Sequence, residues 1–205
     1  LTIAKLASVW EYDKMGGRVG YQDQYLCALG GFHLLRFNEH GVRDMTMDAK
    51  QVAPLAQYLM LFNTNQYRRA SDVVAHQLAE MGQNKEILTR IGEMPQEGLE
   101  ALKSGCYDHF ASLLSEAWAL KKQLSKFVST PEIDAIYETA MKAGATSGKL
   151  VGGGGGGFIL FFAEPEKQDA VRQALGELDY VPFHFENEGT KVLYDDGHCS
   201  DKSQQ

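Results

Sequence analysis

Six consecutive glycines, Gly152, Gly153, Gly154, Gly155, Gly156 and Gly157, are the most conspicuous chemical feature of this 205-residue sequence. A run without Cβ atoms lets the backbone approach an anion closely and turn successive N–H groups toward it. It is not a Walker A loop, because no Lys-Ser or Lys-Thr follows, and not a Rossmann turn, because a strand pattern comes next. Two uses fit: a loop on the phosphate side of a site, or a strand-to-strand hairpin that needs small residues. Asp23 lies in Gly20-Tyr21-Gln22-Asp23-Gln24-Tyr25, closed by Gly30-Gly31. A carboxylate set among amides and glycines could accept a hydroxyl proton or orient that oxygen for attack on a phosphoryl group. It could equally cap the short helix it begins. Arg68 and Arg69 stand just before Ser71, where an apolar strand gives way to a helix. Guanidinium forks and helix N-termini both suit phosphate oxygens, and a solvated surface role is the alternative for either arginine.

The elements that must position these residues follow from periodicity and punctuation. Leu1 to Lys14 has apolar residues at helical spacing (Ile3, Leu6, Ala7, Trp10) with no cap before them, which predicts that the chain begins inside a longer one. A short helix from Gln22 to Leu29 is ended by Gly30-Gly31. Phe32 to Phe37 and Val42 to Met47 flank Asn38-Glu39-His40-Gly41 and read as a β-hairpin. Tyr58 to Asn63 is a buried strand. Helices follow at about 68–81, 83–104, 106–126 and 131–143, the last with Thr130 as N-cap and Pro131 at its first position. After the glycine run come a strand from Phe158 to Ala163, a helix from Pro165 to Glu177, and strands at Tyr180 to Phe185 and Lys191 to Tyr194. That is an α+β order, with residues 198–205 a polar tail.

Composition narrows the chemistry. Hydrophobic residues are 44% and charged residues 23%, ordinary globular values. A formal net charge of −7 creates no basic field for nucleic acid or an anionic membrane, so neither is expected as a partner. Cys27, Cys106 and Cys199 are an odd count at irregular spacing, which predicts reduced, buried thiols in a cytoplasmic protein rather than disulfides or zinc. The six histidines are scattered, without ligand spacing or an acidic partner on an obvious helix face, and read as structural. No residue is assigned to a metal.

Taken together, Gly20 to Tyr25 with Gly30-Gly31, Arg68 or Arg69 through Asp72, and Lys149-Leu150-Val151 with the glycine run resemble the second half of a GHMP kinase, within the heptose 7-phosphate kinase branch. The resemblance implies a two-domain α+β fold: residues 1–55 as the end of the N-terminal domain, 56–197 as the C-terminal domain of a helical layer on an antiparallel sheet. It implies ATP and Mg²⁺ as cosubstrates and transfer of a phosphoryl group to the anomeric hydroxyl of a sugar phosphate. Asp23 matches the catalytic aspartate. Gln22, Arg68, Arg69 and Ser71 fall on the substrate side, and the glycine run on the phosphate side. The family's main ATP phosphate loop, and the basic residue it brings to the aspartate, are expected upstream of Leu1, so the chain alone is expected to be inactive. A homodimer, or association with that N-terminal segment, is the expected assembly. The alternatives are a fucose- or galactose-type 1-kinase and a non-catalytic sugar-phosphate-binding module.

Overall fold

The structure, a computed structural model, describes residues 2–16, 20–67 and 82–194. It opens on α1 (Thr2–Val9), continued by a π-helical turn at Trp10–Lys14, and α2 (Gln22–Leu29). The hairpin β1 (Phe32–Asn38) and β2 (Gly41–Met47) follows, with Asn38 opposite Gly41. The short α3 (Ala49–Val52) runs into a 3₁₀ turn, Ala53–Tyr58, and β3 (Leu59–Asn63). Then come α4 (Lys85–Lys103), α5 (Tyr107–Leu124) and α6 (Pro131–Ala143). The chain closes through β4 (Ser147–Leu150), β5 (Phe158–Phe162), α7 (Gln168–Ala174) and the two-residue β6 (Asp179–Tyr180). The fold is α+β, as its element order predicts.

Local chemistry explains the sharpest boundaries. The Thr130 hydroxyl accepts from the Ile133 N–H at 3.3 Å, Pro131 supplies the preset φ of the first turn, and Gly144 ends α6 in the left-handed region at φ 115°. α4 continues through Pro95 despite the amide that proline lacks. Tertiary anchoring holds it: Arg90 donates from Nε and Nη2 to the two Glu116 oxygens at 2.7 and 2.9 Å, and to Glu97 as well, tying α4 to α5. Those guanidinium bonds hold the Glu97 and Glu116 carboxyls below the usual carboxylate range.

The four-stranded antiparallel sheet has the order β4-β5-β3-β6 and is buried on both faces. On one face Met60 and Phe62 of β3 and Ile159 and Phe161 of β5 meet Trp118, Ile133, Ala140 and Val171 from α5, α6 and α7. On the other, Leu59 and Phe162 meet Val52, Leu55, Leu99, Leu102 and Ala111. Strand alternation sends neighbours to opposite faces, so two helical layers can be served by short apolar runs. Gly148 faces Phe161 across β4 and β5, and a Cβ there would stand 2.5 Å from the ring.

Two expectations, for residues 181–194 and for the cysteines, are corrected. Residues 181–194 form no strand; Asp179–Tyr180 pairs with β3, the Val181 N–H donates to Leu61 O at 2.8 Å, and the rest runs on as a strap outside any strand. The apolar row of α1 faces solvent, with Ile3 and Leu6 each 55% and Trp10 63% exposed, while Ala4 and Ser8 are the buried positions. Cys27 and Cys106 are exposed free thiols rather than buried ones. Among the described residues no helix is long and apolar enough to cross a membrane.

Candidate active site

α2 carries Asp23 in its first turn, one residue after Gln22, whose Nε2 donates to Asp23 Oδ1 at 3.3 Å. The cap position falls on Tyr21, which makes no side-chain cap bond, so Asp23 is not the capping residue. Its carboxylate is exposed. The far end of α2 is clamped. The Gly31 N–H donates to Glu186 O at 2.7 Å, the Thr190 N–H to Ala28 O at 3.2 Å, and the Thr190 hydroxyl to Cys27 O at 3.3 Å. The strap thus holds the helix that carries the aspartate.

Beside the clamp, His33 of β1 is nearly enclosed, its side chain 5% exposed. Nδ1 stands 2.7 Å from Asp44 Oδ1, diagonally across the hairpin, and Nε2 contacts the Gly30 carbonyl. This histidine joins the hairpin to the end of α2. Sequence reading gave it no acidic partner, because the partner comes from strand register and not from helix spacing.

The glycine run is the loop of the β4–β5 hairpin, Val151 N–H donating to Phe158 O at 2.8 Å. Its amides are not all directed outward. Gly155 N–H donates to Val128 O at 2.9 Å and Gly157 N–H to Gln66 O at 2.8 Å. The Thr64 hydroxyl donates to Gly157 O at 2.7 Å. A Cβ on Gly154, held at φ 113°, would meet the Val128 backbone at 3.1 Å. The glycines are required by close packing on the 125–128 turn and on Gln66, and two of the six amides expected to face an anion are engaged within the protein.

What tertiary packing adds is a pair of lysines. Lys121, in the last turn of α5, donates from Nζ to the carbonyl of Gly152, where the hairpin loop begins. Lys149, on β4, lines an apolar cavity of about 380 Å³ together with Gln22, His33 and residues of α4 and α5 such as Met94, Leu99 and Leu113. Burial, and then repulsion from Lys149, hold the Lys121 ammonium down at about 8, while the charge of Asp23 pulls it back up. Burial pushes Lys149 down as well. Asp23, Lys121, Lys149 and the start of the glycine loop therefore form one electrostatic neighbourhood. Lys121 escapes sequence reading because a lysine pair closing a helix looks like a complement to the helix dipole. Lys149 stands in the glycine motif, but nothing local marks it as buried. Arg68, Arg69 and Ser71 lie outside the described residues.

The family description for the GHMP kinase C-terminal region matches residues 99–180. The chain is 34% identical over 197 residues to the D-glycero-α-D-manno-heptose 7-phosphate kinase of Campylobacter jejuni, covering 92% of this chain and 58% of that protein. It is 31% identical over 189 residues to the bifunctional fucokinase/GDP-fucose pyrophosphorylase of Arabidopsis thaliana, covering 85% of this chain and 17% of that one. Among solved structures, a D-glycero-D-manno-heptose 1-phosphate kinase of Bacteroides thetaiotaomicron superposes with a TM-score of 0.68 at 27% identity, covering 93% of this chain and 55% of that one. The chain thus spans little more than half of these heptose kinases, and the matched residues 99–180 include α5 to α7, β4, β5 and the glycine hairpin. Over residues 99–180 it is similar to the C-terminal region of the GHMP kinases.

Proposed function

We propose that this chain is the acceptor-side part of an ATP-dependent kinase that phosphorylates the anomeric hydroxyl of a heptose phosphate, D-glycero-α-D-manno-heptose 7-phosphate first among candidates. The observation that carries this reading is the neighbourhood of Asp23 with the Lys121–Lys149 pair at the start of the glycine hairpin. A carboxylate beside two desolvated ammoniums suits a reaction in which a hydroxyl loses a proton while an anionic phosphoryl group arrives. Asp23, exposed and steadied by Gln22, accepts or orients that proton. The clamp on α2 keeps the carboxylate in place. ATP supplies the γ-phosphoryl group. Mg²⁺ would bind the ATP phosphates and needs only one or two carboxylates from the protein; among the described residues there is no cluster of three or more His, Cys, Asp or Glu that could hold a metal ion.

The division into an N-terminal part ending at residue 55 and a C-terminal domain over 56–197 belongs to the same proposal. The matched span 99–180 falls within the second part. The two parts share core residues, since Met47 and Val52 pack with Leu99 and Phe162. The engaged amides of Gly155 and Gly157 favour a second reading, a sugar-phosphate-binding module that transfers nothing. Turnover separates the two. The longest natural polypeptide containing this sequence should release ADP with heptose 7-phosphate and more slowly with fucose or galactose. Tight sugar-phosphate binding with no sugar-dependent ADP release would leave the module.

Arg68 and Arg69 are proposed to hold the acceptor's own phosphate, and each is tested by substitution with Ala. Hydrogen bonds to charged groups contribute roughly 1.5–3 kcal/mol, so KM for the sugar phosphate should rise about 10- to 100-fold for the arginine that makes them. KM for ATP should change far less. Equal kcat/KM for heptose and its phosphate ester in the unsubstituted enzyme would exclude a phosphorylated acceptor.

A further inference from the structure

We infer that Lys121 and Lys149 form an oxyanion site for the phosphoryl group in transfer, distinct from the site that holds the acceptor's own phosphate. The inference rests on the kinase reading for its ligand, but the site itself is argued from the chain. Lys121 reaches from the end of α5 to the Gly152 carbonyl, and Lys149 lies on the adjoining strand, three residues before that carbonyl, beside a cavity also lined by Gln22. Among the described residues neither lysine has a carboxylate within ion-pair distance, whereas the next residue, Lys122, pairs with Asp134 at 3.2 Å. Both side chains are half-buried.

Two ammoniums taken partly out of water and set against one another are costly unless an anion joins them. Three donors on a flexible stem make each lysine a point charge suited to phosphate oxygens. The charged groups acting on Lys121 are Lys149 from β4 and Asp23 from α2. On the α4 side Arg90 is already taken up by Glu97 and Glu116.

Proximity to Asp23 decides which phosphate is held. In the transfer, the acceptor oxygen bonds to the γ-phosphorus, the bond from that phosphorus to the bridging oxygen of ADP breaks, and the hydroxyl proton passes to Asp23. The moving phosphoryl group is attached to the oxygen that Asp23 serves. Gln22, whose amide donates to Asp23, lines the same cavity as Lys149, so the lysine pair stands at that group, while the acceptor's own ester is carried at the far end of the sugar. Lys121 and Lys149 change no bond; they offset negative charge on the equatorial oxygens.

The site is tested on the 205-residue chain with inorganic phosphate, by calorimetry and by NMR of labelled lysine side chains. Lys121→Met and Lys149→Met should each weaken phosphate binding at least 10-fold, and Lys122→Met should leave it unchanged. The free Lys121 amine should titrate near pH 8. Phosphate should move that titration upward, because a bound anion favours the charged form. Sulfate, whose charge is constant over this range, should bind less well as pH rises through 8 and Lys121 loses its proton. Lys121→Met should also raise Tm, since it removes an unpaired desolvated charge; a purely structural tether to Gly152 predicts the reverse. Unchanged phosphate binding in Lys121→Met overturns the inference. In the intact enzyme, Lys121→Met should lower kcat equally on free heptose and heptose phosphate. A rise in KM confined to the phosphorylated acceptor would reassign the pair to the acceptor's ester and overturn it. If no sugar is turned over at all, the kinase reading fails, and phosphate binding to the chain still decides the lysine site.

Discussion

Asp23→Asn, made in the intact enzyme, should lower kcat by roughly 10²- to 10⁴-fold, the usual contribution of a positioned general base. The substitution keeps shape and keeps an oxygen for the Gln22 amide that now donates to Oδ1 at 3.3 Å. It removes the charge and the proton acceptor. Affinity for the sugar phosphate should therefore change little, because the lost interaction is made mainly in the transition state. A second readout needs no turnover. The Asp23 charge supports the protonated form of Lys121, so in Asp23→Asn the Lys121 amine should titrate below its value of about 8. A near-normal kcat removes Asp23 from the mechanism, and an unmoved Lys121 titration separates the two residues in space.

Gly30→Ala should produce the larger structural effect. Gly30 sits at φ 63° and ψ 171°, a region that is essentially glycine's alone, and a Cβ there would lie 2.3 Å from the Glu188 carbonyl carbon. Forcing an alanine into that backbone region costs about 1–3 kcal/mol. Overpacking against the strap backbone adds roughly 1–3 kcal/mol. Gly189 is the reciprocal position, where a Cβ would stand 2.1 Å from Ala28 O. Either substitution pushes the strap off α2, so a lower Tm should come with a fall in kcat that exceeds any change in sugar affinity. Gly92→Ala is the control: a Cβ there meets nothing within 4 Å, and a mid-helix alanine should stabilise by about 0.5–1 kcal/mol. A Gly30→Ala protein that melts with the unsubstituted protein would mean that the strap does not press on α2.

Much of the secondary structure is legible from neighbours in sequence. α2 spans Gln22 to Leu29 and α6 spans Pro131 to Ala143, as read from glycine and Thr-Pro punctuation. The first hairpin, β3 and β5 were found within a residue of their observed bounds. Caps, breakers and alternation act over a few residues, so their chemistry is visible without a fold. The α+β order follows from the succession of such elements. Asp23 and the glycine run were conspicuous for the same reason, by residue type and local spacing.

Where a side chain is desolvated, and what faces it, came only from the tertiary structure. Lys121 is separated from Asp23 by 98 positions and from Lys149 by 28, and only the packing of α5 on β4 sets their charges against one another. The His33–Asp44 pair needed the register of two strands. Residues 181–194 have strand-like composition, yet no free sheet edge receives them, and they became the clamp on α2 instead. The apolar row of α1 obeys helical spacing but faces solvent, because periodicity says which residues share a face and not what that face meets. The sequence by itself determined most of the helices, strands and turns, though not the strap at 181–194, and which residue types could handle a phosphate. The tertiary structure decided which of them share a site, because burial and charge coupling depend on distance in space rather than along the chain.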